Sequence, residues 1–291
     1  MMKAVCYILI LALVTLCFAG CGGSAETYDI AATTLPVYQF TSMLCEGTGL
    51  TVTRLVTESV SCLHDYSLNV RQVRAAEAAD LIMINGAGLE DFMADILEGK
   101  TVVDASRDIP LLTACDENDA HADHHHEADS HIWLSPANAM VMAKNIMDGL
   151  AEMYPQYADI FQWNCIRLLT QLMQLIEYGE ETLAQLENRE LVTFHDGFAY
   201  LAQAFDFTIL AAVEEEAGAE TSAHKLIELI ELMQQHNVPA VFTETNGSDA
   251  SAKVVAAETG AKLYTLDMAM AGDDYFAAMY HNIDTIKEAL Q

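Results

Sequence analysis

Basic residues are scarce: 13 Lys and Arg stand against 43 Asp and Glu in 291 residues, a formal net charge of −30. Such a surface repels nucleic acid and other polyanions and draws cations toward it. A nucleic-acid partner is therefore not expected, although acidity by itself also serves solubility and names no particular cation. No Cys-x-x-Cys pair occurs, which argues against a thiolate knuckle or a thioredoxin-type site. There is no Gly-x-Ser-x-Gly elbow and no Walker loop. Gly86-Ala87-Gly88 follows a strand-like run, but Asp91 stands where a dinucleotide fingerprint needs its last glycine. Beyond residue 20 no stretch is long and apolar enough to cross a bilayer as a helix.

The N-terminus is of another kind. Lys3 is followed by an almost unbroken apolar run, Ala4 to Thr15, too short for a permanent span and suited to a secretory signal over residues 1–20. Cys17-Phe18-Ala19-Gly20-Cys21 resembles a bacterial lipobox, which makes Cys21 the expected lipidation site and residues 21–27 a tether. An ordinary signal peptide with a chance cysteine is the competing reading. The expected location is extracytoplasmic, lipid-anchored to a bacterial membrane at the cell surface or periplasmic face. Four cysteines then remain, Cys45, Cys62, Cys115 and Cys165; outside the cytoplasm one disulfide can form, with its pairing open.

The remainder alternates strand-like and helical patterns twice. Strands are expected at Tyr28–Thr34, Val52–Val56, Asp80–Asn85 and Thr101–Asp104, with helices at Pro36–Cys45, Leu68–Ala79 and Leu89–Leu97. The second set has strands at Leu191–Phe194, Thr208–Val213, Ala240–Thr243 and Lys262–Leu266, with helices at Phe198–Phe205, Ala223–Gln235 and Ser248–Glu258. This alternation predicts an α/β fold: two lobes, each a parallel four-stranded sheet flanked by helices. Pro136 opens one helix between them, and Pro155 suits the first turn of a second that runs to about Leu186. Its apolar stripe (Phe161, Leu168, Leu169, Leu172, Leu175, Ile176) and length of roughly 45 Å suit a rigid spine joining the lobes, or else a core helix of one larger domain. The expected organisation is an N-terminal lobe over 28–135 with a His-rich loop at 116–130, a helical linker over 136–188, and a C-terminal lobe over 189–291.

Ten histidines in so poorly basic a chain call for an explanation. His64, His131 and His195 lie 67 and 64 residues apart, and Asp267 follows after another 72, so only the fold can assemble them. His195 follows a predicted strand, Asp267 ends near another, His64 sits in a loop after a third, and His131 precedes the helix from Pro136. Open parallel sheets bind ligands outside the carboxyl ends of their strands. Three imidazoles and a carboxylate form a closed tetrahedral shell suited to Zn²⁺, with no position left for a catalytic water. Spacing alone, however, does not lift a lone histidine above an ordinary packed or surface residue. His224, His236 and His281 fall on predicted helices beside charged or amide residues and are expected at the surface. His126 to His131 only imitates a zincin motif, with the histidines five apart rather than four.

Local motifs add what spacing lacks. Thr33-Thr34-Leu35-Pro36-Val37-Tyr38, His64-Asp65-Tyr66, Ala79-Asp80-Leu81 through Asn85-Gly86-Ala87-Gly88-Leu89-Glu90, and Asp129-Ser130-His131-Ile132-Trp133-Leu134-Ser135-Pro136-Ala137-Asn138 form the first group. Phe194-His195-Asp196-Gly197-Phe198, Val241-Phe242-Thr243-Glu244 and Gly260-Ala261-Lys262-Leu263-Tyr264-Thr265-Leu266-Asp267 form the second. Together, over essentially the whole chain after the signal, they resemble the ZnuA-like zinc-binding lipoproteins that serve ABC-type metal importers. The resemblance implies a non-enzymatic receptor with zinc as cargo and an importer permease as partner. It further implies a monomer of two lobes with limited motion on metal binding. His64, His131, His195 and Asp267 would be its metal ligands; histidine at the third position is the usual mark of zinc, glutamate of manganese.

Two departures bear on that set. Cys62-Leu63 stands where the family usually has proline before the first ligand, and Ser67 and Leu68 replace a frequent Glu-Pro. Cys62 is thus an alternative or extra ligand, and Glu244 a reserve fourth one because Met268 to Gly272 also differs from the common form. Manganese or another transition metal, and a zinc-dependent hydrolase, stay open as other readings; histidine ligation would in any case weaken as pH falls into the imidazole range. His121, His124, His125 and His126 lie among carboxylates in a stretch with no apolar residue larger than alanine, a composition suited to weak metal capture. Deleting residues 117 to 128 should lower the zinc stoichiometry in a titration while the tight site survives. An unchanged stoichiometry would remove the loop from metal binding.

Overall fold

The computed structural model describes residues 28–58, 63, 66–113, 128–214, 221–245, 247–270 and 272–291. The expected signal peptide, Cys21 and its tether, Cys62, His64, Cys115 and the four histidines of the His-rich loop lie outside those residues. Two four-stranded sheets are present. Strands β1 (Ile30–Ala32), β2 (Val52–Arg54), β3 (Leu81–Ile84) and β4 (Val102–Asp104) lie in the order β2-β1-β3-β4. Strands β5 (Glu190–His195), β6 (Thr208–Glu214), β7 (Ala240–Glu244) and β8 (Lys262–Leu266) repeat the pattern as β6-β5-β7-β8. All pairings are parallel, as the alternating strand and helix patterns predicted. In each sheet the chain reverses its direction of travel after the second strand. The topological switch points therefore fall between β1 and β3 and between β5 and β7.

The period of two along each strand divides the core. Ile30, Ala32, Leu81 and Met83 face inward in the first sheet, as do Leu191, Ala240, Phe242 and Leu266 in the second, and all belong to one continuous apolar cluster. Residues between them point outward: Ala31 and Ile82 pack under helix α2 (Val70–Ala78), Val192 and Val241 under α7 (Ala223–His236) and α8 (Ala250–Thr259). The shared inner layer is helical. It comprises α1 (Leu35–Leu44), α4 (Pro136–Met153), α5 (Ala158–Leu183) and α9 (Tyr275–Leu290). Short α3 (Ala94–Leu97) and α6 (Ala199–Ala204) complete the set.

Helix starts follow local chemistry. Asn69 caps α2 in a reciprocal box with Gln72, Ser135 caps α4 ahead of Pro136, and Asp274 caps α9 through the amides of Phe276 and Ala277. The spine helix begins with a 3-10 turn at Pro155–Tyr157 and continues as α5 for 26 residues, about 39 Å of rise. It is no bare linker, because Phe161, Cys165, Leu168, Leu172, Leu175 and Leu183 are buried in the cluster that both sheets share. Cys45 and Cys165 are buried free thiols, and burial pushes Cys45 up to about 12.

One element departs from expectation, and another was only partly anticipated. The helix predicted over Leu89–Leu97 is a 3-10 turn at Asp91–Met93 followed by the single turn of α3. Gly86 and Gly88 hold φ of +83° and +84° there, and Glu90 folds its carboxylate back onto the amides of Asn85 and Gly86. The chain is committed to a turn before a helix can nucleate. Helix α9 was expected only as the helix carrying His281, without bounds, although Tyr275, Ala278, Met279, Ile283, Ile286 and Leu290 form its buried stripe. Among the described residues no helix is long and apolar enough to cross a membrane.

Gly179 lets the spine pack directly against Phe205 of the second lobe. A Cβ there would sit 2.2 Å from Cε1 of Phe205. Gly179→Ala should destabilise the protein by about 1–3 kcal/mol in denaturant melts, the usual cost of overpacking. Adding Phe205→Leu should return part of the loss.

Candidate metal centre

His131 is fixed by its own tripeptide. Asp129 Oδ1 accepts the His131 backbone amide at 2.9 Å and faces its ring Nδ1 at 2.8 Å. An ionised carboxylate can only accept, so Nδ1 carries the proton and the lone pair of a neutral ring is left on Nε2. Such an orienting carboxylate is the usual outer partner of a metal-binding histidine. Both side chains are almost wholly buried.

The backbone around His131 is held from both lobes. Three nearby carbonyls each accept a side-chain hydrogen bond: Asp129 O from Tyr200 Oη at 3.0 Å, Ser130 O from Asn85 Nδ2 at 3.1 Å, and Trp133 O from Tyr275 Oη at 2.8 Å. Asn85 follows β3, Tyr200 lies on α6 five residues after His195, and Tyr275 opens α9 eight residues after Asp267. The indole of Trp133 returns the favour to the second lobe, Nε1 donating to Met268 O at 2.7 Å. Burial raises the Tyr200 and Tyr275 hydroxyls above the usual tyrosine range, so both stay protonated donors. Tyr200 Oη also accepts Leu112 N at 2.9 Å, beside an antiparallel bridge between Thr113 and Ala128 that forms the neck of the His-rich segment.

The second lobe offers its strand ends. His195 is the last residue of β5 and Glu244 the last of β7, so the two flank the switch point; both are buried. Glu244 pairs in register with Leu266, which places Asp267 one step beyond on the neighbouring strand β8. Asn282 of α9 clamps the Asp267 backbone from both sides: its Oδ1 accepts Asp267 N and its Nδ2 donates to Asp267 O, each at 2.7 Å. The Asp267 carboxylate accepts Ala269 N at 2.8 Å.

Of the sequence-predicted residues, the fold brings His131 and His195 together, edge to face, with ring centroids 5.3 Å apart. Among the described residues no three His, Cys, Asp or Glu side chains converge as a metal-sized cluster. Glu244 and Asp267 line the same strand ends, and His64 and Cys62 fall outside the description. Leu63, next to His64, is fully buried, and Tyr66 Oη donates to Glu58 Oε2 at 2.6 Å across the base of that loop. His224 and His281 are exposed and His236 pairs with Glu190 at 3.0 Å, in keeping with surface roles. Asp129, Tyr200 and Asn282 were given no role from sequence. Only Asp129 left a usable sign, a carboxylate two residues before a histidine in a non-helical stretch.

A profile of the family described as "ZnuA: Zinc-uptake complex component A periplasmic" matches residues 30–289. The chain belongs to this family. A solved ZnuA structure superposes with a TM-score of 0.80 at 28% identity, covering 91% of this chain and 100% of that one. The Zn(II)-bound ZnuA-like domain of Streptococcus pneumoniae AdcA superposes with a TM-score of 0.75 at 26% identity, covering 91% and 99%. The zinc-binding lipoprotein AdcA of Streptococcus pneumoniae (strain ATCC BAA-255 / R6) is 28% identical over 278 residues, which are 89% of this chain and 55% of that protein. This ZnuA-family chain thus spans about half the length of AdcA while matching nearly all of its ZnuA-like domain.

Gly197 packs directly against the His195 ring. A Cβ there would lie 2.9 Å from His195 Nε2 and 2.7 Å from Met268 Cε. Gly197→Ala should displace the His195 ring, read as a shift of its Nε2 resonance in nitrogen-15 spectra. It should also cost about 1–3 kcal/mol of stability.

Proposed function

We propose that this chain is an extracytoplasmic receptor that binds Zn²⁺ in the cleft between its two sheets and hands it to an ABC-type membrane importer. The observation that carries the reading is the buried His131–His195 pair, one imidazole from each half of the fold, with Nε2 of His131 freed for a metal by Asp129. Two imidazoles with carboxylates at adjacent strand ends form a nitrogen and oxygen donor set suited to zinc. Asp267 is the preferred carboxylate ligand and Glu244 the reserve; His64, or Cys62 beside it, would complete the shell from the first lobe. The zinc-binding relatives and the family description support the cargo. The lipobox-like sequence ending at Cys21 supports a lipid anchor, with the permease as partner and the chain acting as a monomer. In this reading an N-terminal lobe over 28–135 and a C-terminal lobe over 189–291 are joined by a helical linker over 136–188.

A receptor needs no catalytic water, and four protein ligands would leave none, so the reading assigns no enzymatic step. Its neck joins the His-rich segment to Asp129 and His131, which supports a role for that segment in weak capture near the tight site.

Competition titration tests the assignment. Wild-type protein should bind one zinc tightly, His195→Ala should abolish that binding, and Asp129→Asn should weaken it about 10–100-fold with the stoichiometry unchanged. His195→Ala with wild-type affinity, or manganese displacing zinc at comparable concentrations, would overturn the reading.

A further inference from the structure

The two sheets treat their switch points differently. In the second sheet the crevice between β5 and β7 presents His195 and Glu244. In the first, the equivalent crevice between β1 and β3 is filled by a side chain of the protein itself. Glu90 is buried there, and its carboxylate accepts Thr33 Oγ1 at 2.6 Å and Asn85 N at 2.8 Å on Oε1, and Gly86 N at 3.0 Å on Oε2. These three donors come from the residues just past β1 and β3. Asn85, held in this way, donates Nδ2 to the carbonyl of Ser130, the peptide that leads into His131. Gly86 has no slack to absorb a change, since a Cβ there would overlap Asp104 and Ser106.

From this chain of contacts we infer that Glu90, in its ionised form, is a positioning residue for His131, acting through Asn85 and Ser130. The inference rests on the receptor reading above. The two backbone N–H groups require acceptors; the Thr33 hydroxyl alone could turn to accept from a protonated Oε1, which would weaken the bond that Oε1 takes from Asn85 N. A proton on the carboxyl turns one acceptor into a donor, and on Oε2 it would point at the Gly86 N–H and loosen the turn that aims Asn85. Burial, opposed by the hydrogen bonds from Thr33, Asn85 and Gly86 and reinforced by the charge of Asp104, raises Glu90 from the ordinary carboxylate range to about 7. Asp104 is its charged neighbour, at the end of β4; the groups reaching it from β1 and the β3 turn are neutral. Zinc affinity should therefore carry a proton dependence near neutrality in addition to that of the imidazoles.

The raised value fixes the sign for stability. A carboxyl whose folded value lies above its unfolded one stabilises the fold fully below the ordinary value near 4.5 and loses that contribution as pH rises through about 7. Ionised Glu90 thus costs stability at pH 8 while it serves the site. Glu90→Gln, which removes the charge and sets an amide N–H against Gly86 N–H, separates the two effects. Metal-free Glu90→Gln should gain in melting temperature relative to wild type between pH 5 and pH 8. Its zinc affinity should be about tenfold weaker than wild type at pH 8 and close to wild type at pH 5.5. A merely structural Glu90 would move both readouts the same way.

Asn85→Ala should weaken zinc binding at both pH values, and the double variant should bind no more weakly than Asn85→Ala alone, since both act through one path. Should Glu90→Gln not fold, Thr33→Val supplies the test: losing one donor to the carboxylate should shift the pH at which zinc affinity falls upward. The inference is overturned if folded Glu90→Gln binds zinc within twofold of wild type at pH 8. Multiplicative single and double variants, or an unmoved profile in Thr33→Val, would overturn it equally. Wild-type protein that took up no zinc would instead defeat the receptor reading.

Discussion

The structure depends on one short stretch of backbone, residues 129–133, whose carbonyls are bound by side chains from three other parts of the chain. Asn85 reaches it from the first sheet, Tyr200 and Tyr275 from the second half. Hydrogen bonds to buried carbonyls contribute modestly when made and cost more when lost. Their weight here lies in geometry: one histidine is fixed relative to two lobes at once. Because Tyr200 lies shortly after His195 and Tyr275 shortly after Asp267, the segments carrying candidate ligands are also those that grip His131.

The shared helical layer sets the limits of motion. α1, α4, α5 and α9 bury a single apolar cluster that includes the inner faces of both sheets. Parting the sheets as rigid bodies would open that cluster to water, at about 25 cal/mol for each Å² of apolar surface exposed. On the receptor reading proposed above, metal would therefore enter and leave through loops at the strand ends and not by parting of the sheets. The two switch-point crevices divide the labour. One is packed by Glu90 and serves as a fixed abutment; the other carries His195 and Glu244.

Much of this was legible in the sequence, and for identifiable reasons. Short, continuous apolar runs such as Ile30–Ala32 and Ala240–Phe242, alternating with helical patterns, gave away the buried strands. Pro136 and Pro155 marked where the central helices begin. His131 and His195 stood out through their flanking motifs. What stayed hidden depends on contacts distant along the chain. The turn at Glu90 replaces a helix because a carboxylate folds back on two amides, which no apolar spacing records. Helix α9 was read only as a helix around His281, without the cap at Asp274, and the role of its Asn282 in holding the Asp267 backbone went unseen. Tyr200 and Tyr275 looked like ordinary core aromatics, since only the fold reveals what their hydroxyls meet.

The Thr113–Ala128 bridge has a consequence for the segment it closes. A segment that leaves and re-enters the fold through adjacent residues can change length at little thermodynamic expense. Closing a loop costs about 0.6 kcal/mol more for each doubling of its length. Neither the sheet nor the grip of Tyr200 on the neck depends on how many residues lie between its two sides. Changes of length there would accordingly cost the fold little, whereas any change at the residues that hold Asp129 and Ser130 would be felt directly at the His131 ring.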